Sequence, residues 1–192
     1  EWNQFMDGFA VSEEYSTLGA NFTPHNTFRF TALTDKHFTL NPTRKIVASI
    51  NCKLGSLSNP GIDDFFHFFG GGLPGIKGYT FYEESLTGSS YLIGTLSCRL
   101  PIILERNFTS AQFNLQNLSM GGIFQVGGAV KNNFKELIQK DPYKFSAGLE
   151  LRIQGFSFYS YPTAFAYEYH QAISDLEEPG KHYLTLLFDY LE

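Results

Sequence analysis

The sequence predicts an all-β, antiparallel fold of about eight strands with essentially no helix. Three observations predict it. Segments of about ten residues alternate apolar and polar side chains, which is the period of a strand. Clusters rich in Gly, Pro, Asn and Asp separate these segments. Aromatic residues make up 17% of the chain, with Phe 20 and Tyr 11, well above ordinary usage.

In chain order, Glu1 to Leu18 mixes aromatics with acids and holds a first strand, with Phe5, Asp7, Phe9 and Val11 on one face. The turn cluster Asn21-Phe22-Thr23-Pro24-His25-Asn26 follows. A second strand spans Thr27 to Leu40, where Phe28, Phe30 and Ala32 alternate with Arg29, Thr31 and Leu33; Asn41-Pro42 breaks it. Lys45 to Leu54 is the clearest strand. Ile46, Ala48, Ile50, Cys52 and Leu54 take one face, and Lys45, Val47, Ser49, Asn51 and Lys53 the other. Such a strand separates an apolar medium from a polar one. In a soluble sandwich the apolar face is core; in a porin-like barrel it meets lipid and the lysines face a wet lumen. Periodicity alone leaves both open.

After a long loop at about 56–88, Ser90 to Leu100 is the fourth strand. Leu92, Gly94, Leu96, Cys98 and Leu100 oppose Tyr91, Ile93, Thr95, Ser97 and Arg99, and Pro101 stops it. Glu105 to Ala111 links onward to a fifth strand, Asn117 to Val130, with Leu118, Met120, Gly122, Phe124 and Val126 on the apolar face. Lys131 to Tyr143 is polar, with Phe134, Leu137 and Ile138 spaced for one short helical turn. Phe145 to Ile153 sets Phe145, Ala147, Leu149, Leu151 and Ile153 against Ser146, Gly148, Glu150 and Arg152. Tyr161 to Gln171 sets Phe165, Tyr167 and Tyr169 against Ala164, Ala166, Glu168 and His170. An acidic turn, Ser174 to Gly180, precedes the last strand, Lys181 to Tyr190, with Leu184, Leu186, Phe188 and Tyr190 on its apolar face.

The 192 residues suffice for one domain. A net charge of -5 and a pI near 5.5 exclude a general nucleic-acid binder. No run of eighteen apolar residues exists, so neither a transmembrane helix nor a signal peptide is predicted. A spanning barrel strand needs only about ten alternating residues, and its two faces average to a mean hydropathy near zero, as the -0.16 here does. The first residue is Glu1, which suggests a processed chain or a piece of a longer protein.

No catalytic constellation is apparent. His25, His37, His67, His170 and His182 are dispersed, without H-E-x-x-H spacing, and there is no G-x-S-x-G elbow. Cys52 and Cys98 lack metal-site spacing. Glu168 and His170 share a face two residues apart, which suits acid–base work, but a pair of polar residues lining a lumen is the simpler reading. The chain is therefore read as not an enzyme, with no metal and no cofactor.

The most informative stretch is Phe65 to Tyr82, FFHFFGGGLPGIKGYTFY. Five glycines (Gly70, Gly71, Gly72, Gly75, Gly78) and Pro74 make it a loop, and its seven aromatics predict that it is tucked inside the fold. Gly71-Gly72-Leu73-Pro74-Gly75-Ile76-Lys77-Gly78-Tyr79, followed at matching spacing by Leu96-Ser97-Cys98-Arg99-Leu100-Pro101, resembles the signature loop and following strand of the BamA-type outer-membrane superfamily, the bacterial surface antigen family. The alternative is a glycine-rich hairpin loop in another β protein.

The resemblance implies an antiparallel transmembrane β-barrel, of which this chain is the C-terminal half. Five strands follow the signature loop, as in the sixteen-stranded family barrel. It places the loop residues Gly71, Gly72, Gly75, Ile76, Lys77, Gly78 and Tyr79 inside the lumen. The family has arginine where Lys77 stands, paired with carboxylates on the next two strands; here those positions are Ser97 and Gln125. Lys77 is therefore expected near Glu150 or Glu168, the alternative being a solvated loop tip. Phe188 and Tyr190 match the aromatic C-terminal insertion signal, overhung by Leu191-Glu192. The implied function is insertion and assembly of outer-membrane proteins, or polypeptide translocation, in the bacterial outer membrane. The implied partners are the lipid bilayer, the missing N-terminal half of the barrel, upstream periplasmic domains and other envelope proteins. Two rivals stand beside it: a structural barrel that anchors a periplasmic module or envelope complex, and a soluble all-β binding module. Under the barrel reading Ile46, Leu92, Leu149 and Phe188 point outward. Cys52 and Cys98 then differ in height by about 15–25 Å and form no disulfide.

Overall fold

The computed structural model describes residues 8–17, 26–61, 63–104, 106, 108–110, 112–132, 134–139, 142–158 and 161–188, and of 8–17, 26 and 138 the backbone alone. Eight long strands form the fold: β1 (Gly8–Thr17), β2 (Asn26–Asn41), β3 (Ile46–Leu57), β4 (Ser90–Ile103), β5 (Phe113–Val130), β6 (Lys144–Ser157), β7 (Tyr161–Ala172) and β8 (Lys181–Phe188). They lie side by side in chain order, each antiparallel to the next. The expected all-β, antiparallel, eight-stranded architecture is what forms. The sheet is open, however: among the described residues β1 and β8 are edges and do not pair with each other.

Local chemistry explains where the strands end and bend. Between β2 and β3 the Asn41 side chain accepts from Arg44 N–H at 2.9 Å, and Lys45 takes the left-handed conformation at φ 51, closing a tight turn around Pro42. Pro101 does not stop β4. The strand runs on to Ile103 through a register shift between Pro101 and Ile103, where a residue without an N–H costs no ladder bond. Within the predicted link, Phe108–Ser110 forms a short strand against β5. The predicted helical turn is the five-residue helix α1, Lys135–Gln139, which buries Leu137 completely. The facing predicted for Phe5 and Asp7, and the placement of Tyr190, lie outside the described residues.

The two faces of the sheet carry inverted polarity. Ser49, Ser97, Ser119, Gln125, Ser146, Glu150, Gln154, Glu168 and His170 point to one face and are buried. Ile50, Leu96, Leu100, Met120, Phe124, Leu149, Leu151, Phe165, Leu184, Leu186 and Phe188 point to the other and are exposed. Outward positions on β3 to β8 include no Asp, Glu, Lys or Arg, while β2 places Lys36 there. Ile46, Leu92, Leu149 and Phe188 all lie on this outer face; Leu149 is 64% and Phe188 60% exposed. Among the described residues no second sheet covers it, since the one other ladder is the two-residue pairing of Phe68–Phe69 with Thr87–Gly88 inside the loop.

The hydrophobic core is made by that loop and the inner face. Ile76, Tyr79 and Leu86 from the loop are fully buried with Ile93 of β4 and Ala172 of β7, and Tyr91 packs beside them. A second cluster joins Phe68 to Leu57 at the end of β3. Burying each large side chain stabilises the docked loop by roughly 1.5–3 kcal/mol. Lys77 and Gly78 of the loop bond to side chains from β5 and β8, three strand spacings apart, or about 14 Å on a flat sheet. Side chains on a flat sheet would stand parallel and could not meet neighbouring loop residues, so the sheet curls around the loop.

Candidate functional site

The loop is folded upon itself before it meets the wall. Gly70 N–H donates to Leu86 O, Ile76 N–H to Gly70 O and Gly72 N–H to Ile76 O, at 2.7, 2.7 and 3.1 Å. This closes the segment into a compact knob, with Gly71 and Ile76 bridged in parallel. Glycine is required at Gly75, where a β-carbon would fall 2.0 Å from Gly70 O. It is required again at Gly78, which has φ +99 and would bring a β-carbon within 3.1 Å of Ala172 N.

The knob presents Lys77-Gly78-Tyr79 to the inner wall, and each residue is bonded. Lys77 N–H donates to Gln125 Oε1 at 2.8 Å, and Gln125 Nε2 donates back to Gly75 O at 3.2 Å. The β5 amide thus grips the loop backbone on both sides of Ile76. Gly78 N–H donates to Tyr183 Oη of β8 at 3.0 Å, and Tyr79 Oη donates to Phe145 O of β6 at 2.9 Å. The Lys77 ammonium donates to Glu168 Oε2 of β7 and lies 5.9 Å from the Tyr183 ring centroid. Of the two carboxylates the sequence offers, the loop cation meets Glu168.

Glu150 has other partners. Arg99 Nε donates to its Oε2 at 2.6 Å and Arg152 Nε to its Oε1 at 3.0 Å, and the Glu150 side chain is 1% exposed. Arg99 stands on β4 and Glu150 on β6, with Gly121 between them in the ladder. A β-carbon at Gly121 would meet Arg99 Cγ at 3.1 Å, so the glycine lets the guanidinium cross β5. The same device operates opposite His170. Its ring lies over Gly148, where a β-carbon would fall 2.5 Å from Nδ1. His170 Nε2 is 2.9 Å from Glu168 Oε2, and because the carboxylate can only accept, Nε2 carries a proton.

Glu150 and Glu168 are direct cross-strand partners on the same face. Two carboxylates so placed repel one another. Each is held by its own donors: Glu150 by Arg99 and Arg152, Glu168 by Lys77 and His170. The inward parity of Arg99 and Arg152 was legible in the sequence, whereas their convergence on Glu150 depends on the register across β4, β5 and β6. Ser97 is buried on β4 between Ser49 and Ile123. Gln125 binds the loop backbone and not a cation. Phe188 ends β8 on the outer face.

Cys52 and Cys98 are unbridged. Cys52 pairs with Gly94, four residues from Cys98 along β4, so their heights differ by about 13 Å. The separation is a little smaller than the predicted range because the β3–β4 register brings the two strands further past each other.

The arrangement fastens a loop through hydrogen bonds, ion pairs and apolar contacts. Among the described residues no group of three or more His, Cys, Asp or Glu is placed to hold a metal ion. These features define an antiparallel sheet wrapped around its own glycine-rich loop. No family model, curated protein or solved structure matches the chain.

Proposed function

We propose that this chain is the C-terminal half of an outer-membrane β-barrel of the BamA-type superfamily. It acts in the bacterial outer membrane in the insertion and assembly of outer-membrane proteins or in polypeptide translocation. The observation that carries the reading is the inverted polarity: a charge-free apolar outer face on β3 to β8 around a buried ionic inner face. In water the outer side chains would expose a large apolar patch. In lipid they lie in their own medium, with the polar face in a lumen. The inward-docked loop supports the reading, since Ile76, Lys77, Gly78 and Tyr79 meet the wall through five strands, β4 to β8. The edges of β1 and β8, unpaired among the described residues, fit it too: unpaired backbone in hydrocarbon costs several kcal/mol per group, and in this reading a further half-barrel completes the ring. The work is physical and breaks no bonds: a docked loop braces the wall beside a seam through which a client strand passes.

The experiment is in two stages. The purified chain is first assayed for monodispersity with and without detergent. Monodispersity without detergent, with Leu149 and Phe188 inaccessible to probes once converted to cysteine, would overturn the membrane reading. The parent gene is then depleted in the source cell and the abundance of other outer-membrane proteins measured. A fall supports assembly activity; unchanged levels in an otherwise weakened envelope assign the barrel to anchoring.

A further inference from the structure

The loop has a second surface, which the sheet does not cover. Phe69 stacks on Phe81 with ring centroids 5.3 Å apart, and Tyr82 meets the two rings edge-on at 5.4 and 4.9 Å. Tyr82 is nonetheless 76% exposed, Phe81 40% and Phe65 78%. Acidic residues adjoin these rings along the chain: Asp64 precedes Phe65, and Glu83 and Glu84 follow Tyr82. The Asp64 side chain is 75% exposed and that of Glu84 91%. Glu83 and Glu84 continue into an open cleft of about 730 Å³ between the loop and the β5–β6 connection, which Glu136 also lines. Lys131 and Lys144 line the same cleft, each beside an acid. Lys77 is turned to Glu168 and Lys144 to Asp175, and Lys131 approaches Glu84 only to 3.9 Å at an exposed site.

We infer that this aromatic, acid-rimmed surface docks a cationic polypeptide segment with an apolar anchor. Exposed ring faces attract ammonium and guanidinium groups through their quadrupole. Large rigid rings supply contact area at low entropic cost. The carboxylate rim fixes the sign of the partner and speeds its encounter. An anionic partner is repelled by the rim, and a second copy would bring the same acids against these. The inference holds whatever medium surrounds the outer face of the sheet.

The test is isothermal titration of the full chain, in a zwitterionic micelle, with two synthetic peptides of equal length and apolar content. One carries Lys and Arg between Leu and Phe; the other carries Glu at the cationic positions. The cationic peptide binds, and its affinity falls about tenfold between low and high salt. Asp64→Lys combined with Glu84→Lys weakens it at least about tenfold, and so does Phe65→Ser combined with Tyr82→Ser. All four positions are exposed, so the circular dichroism spectrum and the protection of the Lys77–Gly78 bond from trypsin stay unchanged. Absence of binding, equal binding of the two peptides, or indifference to the substitutions overturns the proposal. Self-association lost with Tyr82→Ser in the absence of peptide also overturns it and gives the surface to a second copy.

Discussion

Removing the Glu168 carboxylate tests whether the ion pair, and not apolar burial alone, holds the loop. In Glu168→Gln the Lys77 ammonium keeps an amide acceptor and the Tyr183 ring at 5.9 Å but loses its countercharge. The pair is largely buried, with side chains 17% and 7% exposed. Breaking a fully buried pair costs roughly 3–5 kcal/mol. The remaining acceptor, and the water that Lys77 reaches when the loop opens, reduce this to about 2 kcal/mol, in the range of a hydrogen bond to a charged group. The loop carries its own reporter, because trypsin cuts after Lys77 only when the knob has left the wall. When opening and closing are fast, cleavage follows the open population. At a factor of ten per 1.4 kcal/mol, the Lys77–Gly78 bond should be cut about 30-fold faster in Glu168→Gln, as read from fragment masses. Ile76→Ala is the calibrating control: it removes a fully buried side chain at a cost of about 2–5 kcal/mol and must also accelerate the cut. An unchanged rate in Glu168→Gln beside a large increase in Ile76→Ala would refute the electrostatic account and leave the loop held by packing alone.

Gly121→Val should destabilise by about 1–3 kcal/mol, since the new β-carbon would fall 2.9 Å from Cys98 O and 3.1 Å from Arg99 Cγ; thermal unfolding measures it, and Arg99→Ala in the same background should recover the part due to the side chain. Leu149→Arg puts a charge in the outer face and, under the membrane reading, should cost about 2–4 kcal/mol of insertion, seen as less folded protein on reconstitution into vesicles; equal folding yields with the wild type would count against lipid contact. Cys52 and Cys98 should both be alkylated in the denatured, unreduced chain, and an intact mass lacking either label would contradict the β3–β4 register.

The strand order was legible because period-two patterning needs no tertiary information: each of β2 to β8 was found with its faces, the ends moving by a few residues. The exceptions have local causes. Pro101 looks like a terminator until a register shift gives it a place where no N–H is needed. The composition of the loop predicts that all its aromatics are buried. The structure divides them, with Tyr79 sealed against the wall and Tyr82 mostly exposed three residues later. Composition cannot make that division, because it depends on which side of the folded knob each ring leaves. The cluster of Arg99, Glu150, Arg152, Glu168 and His170 was visible only as inward parity. Which acid meets which cation is decided by register and by the empty spaces at Gly121 and Gly148.

That register changes the meaning of Lys77. Seen along the chain, it is a lone cation between glycines, and neither Ser97 nor Gln125 offers it a carboxylate. Seen across the sheet, Glu150 and Glu168 face each other on neighbouring strands, an arrangement that repels unless both are neutralised. Arg99 and Arg152 make their ion pairs with Glu150. Among the described strand residues, His170 is the partner that reaches Glu168, at 2.9 Å. The ammonium that completes the balance therefore comes from the loop. A compact point charge suits a carboxylate shared with an imidazole better than a planar fork that needs both oxygens. Docking the loop and stabilising the wall are then one event: pulling the knob away strips Glu168 of its cation in front of a second carboxylate. The cost of opening is shared between the buried rings of the loop and the charges of the sheet that the loop closes over.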